Sequence, residues 1–163
     1  MILVFDAVTL IYLGKAKVLE KLGGLNAQLI IPSKVYVEVV DVGIKKGFEE
    51  AVYVKGLVDS KLFSVEECDI GQLKIKTLDQ ADLEVLELAK KLKGTIVTDD
   101  QKLRNLASIE KVDNVGSVFL LFLLLKNKII TKTGLKSTVD KMIDCGWYCS
   151  TDFYTMIINK LEH

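Results

Sequence analysis

The chain opens on an unbroken apolar run, Ile2-Leu3-Val4-Phe5, that stops at Asp6, and short runs of the same kind recur along it. Runs of four or five residues without polar alternation are expected of strands buried on both faces. The pattern predicts strands at Ile2 to Phe5, Gln28 to Ile31, Leu62 to Val65, Thr95 to Thr98 and Val112 to Val115. Between them the apolar positions recur at helical spacing. A helix begins at Asp6, carries Val8, Leu10, Ile11 and Leu13, and ends at Gly14, and a second short one is predicted from Ala16 to Leu22. Pro32 and Ser33 open the next, because proline is tolerated at a helix entry and serine caps one. Further helices are predicted from Phe48 to Val58, from Asp79 to Lys93 with Gly94 as its stop, and after Asp99-Asp100. Three more fill the remainder, over Ser117 to Lys126, Lys132 to Cys145 and Thr151 to Asn159, while Asp69 to Lys76 fits neither period. Strands that alternate with helices require crossover connections. The expected architecture is therefore a three-layer α/β/α domain around a central, mostly parallel sheet of about five strands.

No repeat, linker or low-complexity stretch interrupts this pattern, and the chain holds one proline. One domain is expected over residues 1–160, with a motif-bearing core at 1–116 and a helical C-terminal part at 117–160. The ending Leu161-Glu162-His163 is read as the remnant of an expression tag and set outside the fold. That reading removes the one histidine, so no Ser-His-Asp or Cys-His machinery is expected.

Composition narrows the possibilities. Half of the residues are apolar and 27% are charged, which excludes a disordered polyelectrolyte. The longest apolar run, Val118 to Leu125, is far short of the roughly 20 residues that cross a bilayer, so no membrane span is expected. The N-terminus has no basic region ahead of its apolar run, which argues against a signal peptide, and three unpaired cysteines suit a reducing compartment. The expected location is the cytoplasm. Lys and Arg number 22 against 22 Asp and Glu, and Arg104 is the single arginine, so there is no broad basic footprint for duplex nucleic acid. Any nucleic-acid contact is expected to be local. Cys68, Cys145 and Cys149 lack the further ligands a zinc site needs.

In open parallel sheets, ligands bind outside the carboxyl ends of the strands. Asp6 follows the first strand, and Asp99 and Asp100 follow the fourth, so the fold delivers distant carboxylates to one edge. On the helix after Pro32, Val35, Glu38 and Val42 share one line at i, i+3 and i+7, which predicts an inward-facing Glu38. On the helix from Asp79, the apolar stripe Leu78, Val85, Ala89 and Leu92 includes Asp82. Each acid also has a plain alternative. Asp6 can cap its helix, Asp79 to Asp82 and Thr98 to Gln101 have capping-box spacing, and Glu38 can pair with a surface lysine. Those alternatives account for the residues singly, and leave unexplained why like charges gather on one edge at a cost in stability. A hard divalent cation, Mg²⁺ or Mn²⁺, is the natural counter-charge for carboxylates without His or Cys. Such ions polarise a phosphodiester and activate water without a side-chain base.

Four motifs in order resemble the PIN domains, a family of metal-dependent ribonucleases: Ile2 to Ala7 with Leu10-Ile11; Pro32 to Val39; Asp79-Gln80-Ala81-Asp82 with Leu86 and Leu88-Ala89; and Ile96 to Asp100 with Leu103-Arg104 and Ala107. The resemblance covers residues 1 to 116. It implies a Mg²⁺- or Mn²⁺-dependent endoribonuclease in which Asp6, Glu38, Asp82 and Asp100 are the catalytic, metal-binding acids. Asp99 is implied as either a fifth metal ligand or a cap. Val8 stands where many members have a small polar residue, with Thr9 next. Thr98, Lys34, Lys102 and Arg104 are the candidate substrate contacts, the basic residues standing near helix starts at the same edge. The family also implies RNA as partner, a homodimer joined through the apolar helix around Phe119 to Leu125, and, for its toxin members, an inhibiting antitoxin protein. Tyr148 and Trp147 are expected either to stack on bases or to pack within the protein. The alternative function is a catalytically silent PIN-like module that binds RNA or protein. A receiver-type phosphoacceptor is disfavoured by the lone acid after strand one, and a nucleotide-binding fold by the absence of either glycine-rich signature.

Overall fold

The computed structural model describes all of residues 1–163. Five strands form one sheet: β1 (Ile2–Phe5), β2 (Gln28–Pro32), β3 (Phe63–Glu66), β4 (Thr95–Val97) and β5 (Asn114–Val115), in the order β3-β2-β1-β4-β5, with every pairing parallel. Leu3, Val4 and Phe5 are all buried, as are Leu29, Ile30 and Ile31. Successive strand residues point to opposite faces, so consecutive burial means that helices cover both sides of the sheet. Phe5 meets Phe63 edge-on, with ring centroids 5.3 Å apart, and joins the two long strands to β3 at the middle of the core.

Helices α1 (Ala7–Lys15), α4 (Glu49–Asp59), α5 (Gln80–Leu92), α6 (Gln101–Ile109), α7 (Ser117–Lys126), α8 (Lys132–Asp144) and α9 (Thr151–Glu162) fall where helical spacing predicts them. Between β2 and α4, α2 (Ser33–Tyr36), a π segment (Val37–Val42) and α3 (Gly43–Lys45) run on as one helix with right-handed helical dihedrals throughout. Helix α5 packs against β1, β2 and β4 as well as α2, which makes it the central brace of its face. No helix is long and apolar enough to cross a membrane.

Three expectations need correction. The short helix predicted from Ala16 is a 3₁₀ turn at Leu19–Gly24, because Ala16 closes α1 and Lys17 turns left-handed at φ 54°. The fifth strand is confined to Asn114–Val115: Val112 still belongs to the return from α6, its N–H donating to the Ala107 carbonyl, and Asp113 contributes its carbonyl to the Ile96 N–H. Leu161, set outside the fold with Glu162 and His163, lies within α9 and is buried in the core. Helix α7 is also less enclosed than its apolar surface implies. It buries Val118, Leu120, Leu121 and Leu124, and packs on α8 and the 3₁₀ turn, but Phe119 remains 52% exposed.

The strand order places a topological switch between β1 and β4, where the chain, having built outward through β2 and β3, returns to the other side of β1. Ligand crevices of open α/β sheets form at this position. Phe5 is level with Val97, and Val97 with Val115, so the three strands end together. The Asp6 N–H donates to the Val97 carbonyl at 3.2 Å, and the Thr98 N–H to that of Val115 at 2.9 Å. Asp6, Thr98 and Gly116 thereby leave the sheet side by side.

Candidate metal centre

Asp6 is 3% exposed and stands at the switch as the N-cap of α1. One carboxylate oxygen, Oδ1, accepts the Thr9 N–H at 2.9 Å, and Oδ2 accepts the hydroxyl of Thr98, itself fully buried. The Thr98 hydroxyl also accepts the Asp100 N–H at 3.0 Å, so one threonine fixes both acids. Thr98 therefore positions the site and has no surface to offer a substrate, contrary to its expected role. Burial pushes the Asp6 carboxyl up to about 6, against the lowering effect of its hydrogen bonds to Thr98 and Thr9.

Asp82 lies half-buried in the first turn of α5. Burial first, and then the charges of Asp79, Asp6, Asp100 and Glu38, push its carboxyl up to about 7. Asp82 thus lies within reach of the charges of Asp79, Asp6, Asp100 and Glu38, whereas the charge that bears on Asp6 is that of Asp99 and the one that bears on Glu38 is that of Asp79. The motif reading left Asp79 as a cap, which it also is, since its Oδ1 accepts the Asp82 N–H at 2.8 Å. Asp100 likewise caps α6, accepting the Lys102 N–H on Oδ1 at 2.9 Å.

Glu38 departs from its expected inward orientation. The predicted line Val35, Glu38, Val42 assumes α-helical spacing, and the π segment widens the turn there. Val39 and Val40 take the core-facing positions, leaving Glu38 on the exposed rim. Partial burial, followed by the charge of Asp79, raises its carboxyl above the ordinary range.

Asp99 is committed elsewhere. Its Oδ1 accepts the Ser117 N–H at 2.8 Å and its Oδ2 the Trp147 indole N–H at 3.0 Å, while its own N–H donates to the Thr9 hydroxyl at 3.0 Å. The carboxylate thus anchors the N-terminus of α7, where an anion is favourable. Gly116 is required beside it, because a Cβ there would sit 2.8 Å from Asp99 Oδ1.

Glu84, which motif reading passed over, is fully buried. It accepts the Ser33 hydroxyl at 2.8 Å, the Lys34 N–H at 2.7 Å and the Cys68 N–H at 3.1 Å. The carboxylate therefore occupies the N-terminal end of α2 and ties α2, which leads to Glu38, to α5, which carries Asp82. Glu84 takes up the backbone N–H of Lys34, while the Lys34 side chain, the expected substrate contact, is exposed. Ala81, Glu84 and Leu88 follow the same i, i+3, i+7 spacing that singled out Glu38, so the sequence did carry a signal for it. Lys102 is exposed, and Arg104 donates through Nε to Asn114 at 3.2 Å.

None of Asp6, Glu38, Asp82 and Asp100 forms an ion pair with a lysine or arginine; the ion pairs of the molecule lie on other surfaces. An all-carboxylate set with a buried member and no cation suits Mg²⁺ or Mn²⁺. The acids do not converge closely enough for three to ligate one ion as they stand, in keeping with the mutual repulsion of uncompensated charges.

The raised carboxyl of Asp82 carries a stability cost whose sign is definite. Below about pH 4 the group is protonated in both folded and unfolded chains, and the cost is absent. It grows as pH rises from the ordinary value of 3.8 through about 7 and is full above that. Metal-free Asp82→Asn is therefore expected to be more stable than wild type by about 1–2 kcal/mol at mildly alkaline pH, allowing for solvent screening of a half-exposed group. Near pH 4 the difference should vanish. Thermal unfolding across that range in a chelating buffer measures it.

A parallel α/β domain with an acidic switch point matches the PIN architecture. The PIN domain family model matches residues 2–163, and the chain belongs to that family. Among solved structures it is similar to a PilT N-terminus domain protein, SSO1118, from the archaeon Sulfolobus solfataricus P2. The TM-score is 0.55 and the identity 22%, over 77% of this chain and 94% of that one. It is also similar to a domain of a functionally unknown protein from Methanocaldococcus jannaschii DSM 2661, with a TM-score of 0.51 and 19% identity, over 71% and 89%. At these identities the likeness shows the fold. No curated protein matches the chain.

Proposed function

We propose that this PIN domain protein is a Mg²⁺- or Mn²⁺-dependent endoribonuclease that hydrolyses phosphodiester bonds in single-stranded or looped RNA. The observation that carries the reading is a buried Asp6 at the switch point, held by the Thr98 hydroxyl that also accepts the Asp100 N–H, with no lysine or arginine paired to Asp6, Glu38, Asp82 or Asp100. A bound divalent cation would supply Lewis-acid polarisation of the phosphodiester and an activated water at neutral pH. The protein's part is to hold the acids. Thr9 and Thr98 fix both oxygens of Asp6, Thr98 also fixes the Asp100 backbone, and Glu84 clamps the helix leading to Glu38 against the one carrying Asp82. A net charge of zero favours locally held single strands over duplexes, whose binding rests on many phosphate contacts. A homodimer belongs to the same reading. So does a toxin role, which finding a gene immediately upstream for a small DNA-binding antitoxin would support and the absence of one would contradict.

A labelled, mixed-sequence single-stranded RNA is expected to be cut in Mn²⁺ or Mg²⁺ and to remain intact in EDTA. Cleavage that persists in EDTA would contradict the proposal. A catalytically silent RNA- or protein-binding module is the second reading, favoured by the wide spacing of the acids. It predicts no cleavage under any of these conditions.

A further inference from the structure

Beside the acidic crevice, α7 and α9 enclose a groove of about 370 Å³ that the cleavage chemistry does not use. Rings line much of it, Phe119 and Phe122 from α7 and Tyr148 from the loop before α9, with Phe153 and Met156 of α9 beside them. Tyr148 is 85% exposed and Phe119 half-exposed. Two cations flank the rings. Arg104 lies on α6, one turn beyond Asp100, and its backbone N–H donates to the Asp100 carbonyl. Lys160 on α9 holds its ammonium 4.8 Å from the centroid of Phe122. Neither cation is paired with a carboxylate. The one acid that lines the groove, Asp99, has both oxygens engaged, by Ser117 and by Trp147.

We infer that this groove stacks an unpaired nucleobase of single-stranded RNA between its rings, with the flanking phosphate held by Arg104 and Lys160. The choice of RNA rests on the nuclease reading of the neighbouring acids; the groove itself is argued from rings and unpaired cations. Base faces stack on aromatic side chains whatever the sequence, and an adjacent positive charge tracks the backbone. The position also fits. Gly116, which lines the groove, leaves β5 beside Asp6 and Thr98. The groove floor is joined to Asp6 by a chain of hydrogen bonds, from the Trp147 indole to Asp99, from the Asp99 N–H to Thr9, and from the Thr9 N–H to Asp6. A strand crossing the acids would meet the groove next. Trp147 itself is buried and serves as floor, which leaves Tyr148 and Phe119 as the stacking rings.

The test uses the full chain as Asp6→Asn in EDTA, so that RNA binds without being cut. The probe is a ten-nucleotide single-stranded RNA carrying 2-aminopurine, read by fluorescence quenching and by affinity. Adding Tyr148→Ala and Phe119→Ala, both at exposed positions, should weaken binding by about tenfold or more and abolish the quenching, since each stacked base contributes substantially. Tyr148→Phe should retain both signals, and Lys160→Ala should reduce the salt slope by about one phosphate contact. Unchanged affinity and quenching in the double variant would overturn the inference. If that variant instead dissociates a wild-type oligomer seen by sedimentation and leaves RNA binding untouched, the groove is a protein interface and the inference again fails. Wild-type cleavage, assayed in parallel, separates the two proposals. Cutting without any groove effect would leave the nuclease standing and the groove refuted, and stacking without metal-dependent cutting would do the reverse.

Discussion

Asp6→Asn is expected to reduce metal-dependent RNA cleavage by more than about 100-fold, because loss of mere outer-shell partners around a metal already costs 10–100-fold. The fold should survive. Asn keeps an oxygen for the Thr9 N–H and its amide can donate to the Thr98 oxygen, so the cap and the link to Thr98 persist, although the Thr98 hydroxyl proton loses its present acceptor. In the absence of metal the variant should unfold at a higher temperature than wild type. A buried carboxyl held up at about 6 is costly to ionise at neutral pH, and the amide removes that cost. A gain in stability together with a loss of activity marks a functional site rather than a structural one. A cap alone would give no gain, since Asn caps a helix about as well as Asp and only the small interaction of the charge with the helix dipole is lost. Cleavage assays and thermal unfolding on one preparation measure both.

Glu84→Ala is expected to destabilise the protein by about 3 kcal/mol or more, since each buried donor left without its acceptor costs about 1–3 kcal/mol. The truncation strands the Ser33 hydroxyl and the Lys34 and Cys68 N–H groups, all of which now donate to the Glu84 carboxylate. It also opens a void in the core beneath α2. Glu84→Gln, which keeps the volume and one acceptor oxygen, should lose less. Urea unfolding separates the two variants. Glu84→Gln should also bind divalent cations more weakly than wild type, since the neutral amide clamps α2 to α5 less firmly.

What could be read from the sequence follows from where each determinant lies along the chain. Strands β1 and β2 were legible because both faces are covered, which leaves an apolar run with no alternation to blur it. Helix α7 occupies Ser117–Lys126 as predicted, since Gly116 and Asn127 bracket a continuous apolar segment. The acids at strand ends were legible for a topological reason, because a parallel sheet delivers all its carboxyl ends to one edge. The rest needed contacts that spacing does not encode. The π segment at Val37–Val42 changes the helical period itself, so the line that turned Glu38 inward was drawn with the wrong repeat. Asp99 is claimed by Trp147, 48 residues away, which no local motif announces. Glu84 is the exception: Ala81, Glu84 and Leu88 do have inward spacing, but the other charges on α5 mask it, although that helix is buried around most of its circumference.

The central claim is that the carboxylates at the switch point form a divalent-cation site, and calorimetric titration of Mn²⁺ into metal-free wild-type protein near pH 7 tests it most directly. Saturable binding is predicted, with a heat that varies with the ionisation enthalpy of the buffer, because carboxyls raised to about 7 at Asp82 and about 6 at Asp6 release protons when a cation binds. The same titration of Asp6→Asn should show neither. No saturable heat in the wild type, or binding that Asp6→Asn leaves unchanged, would contradict the account.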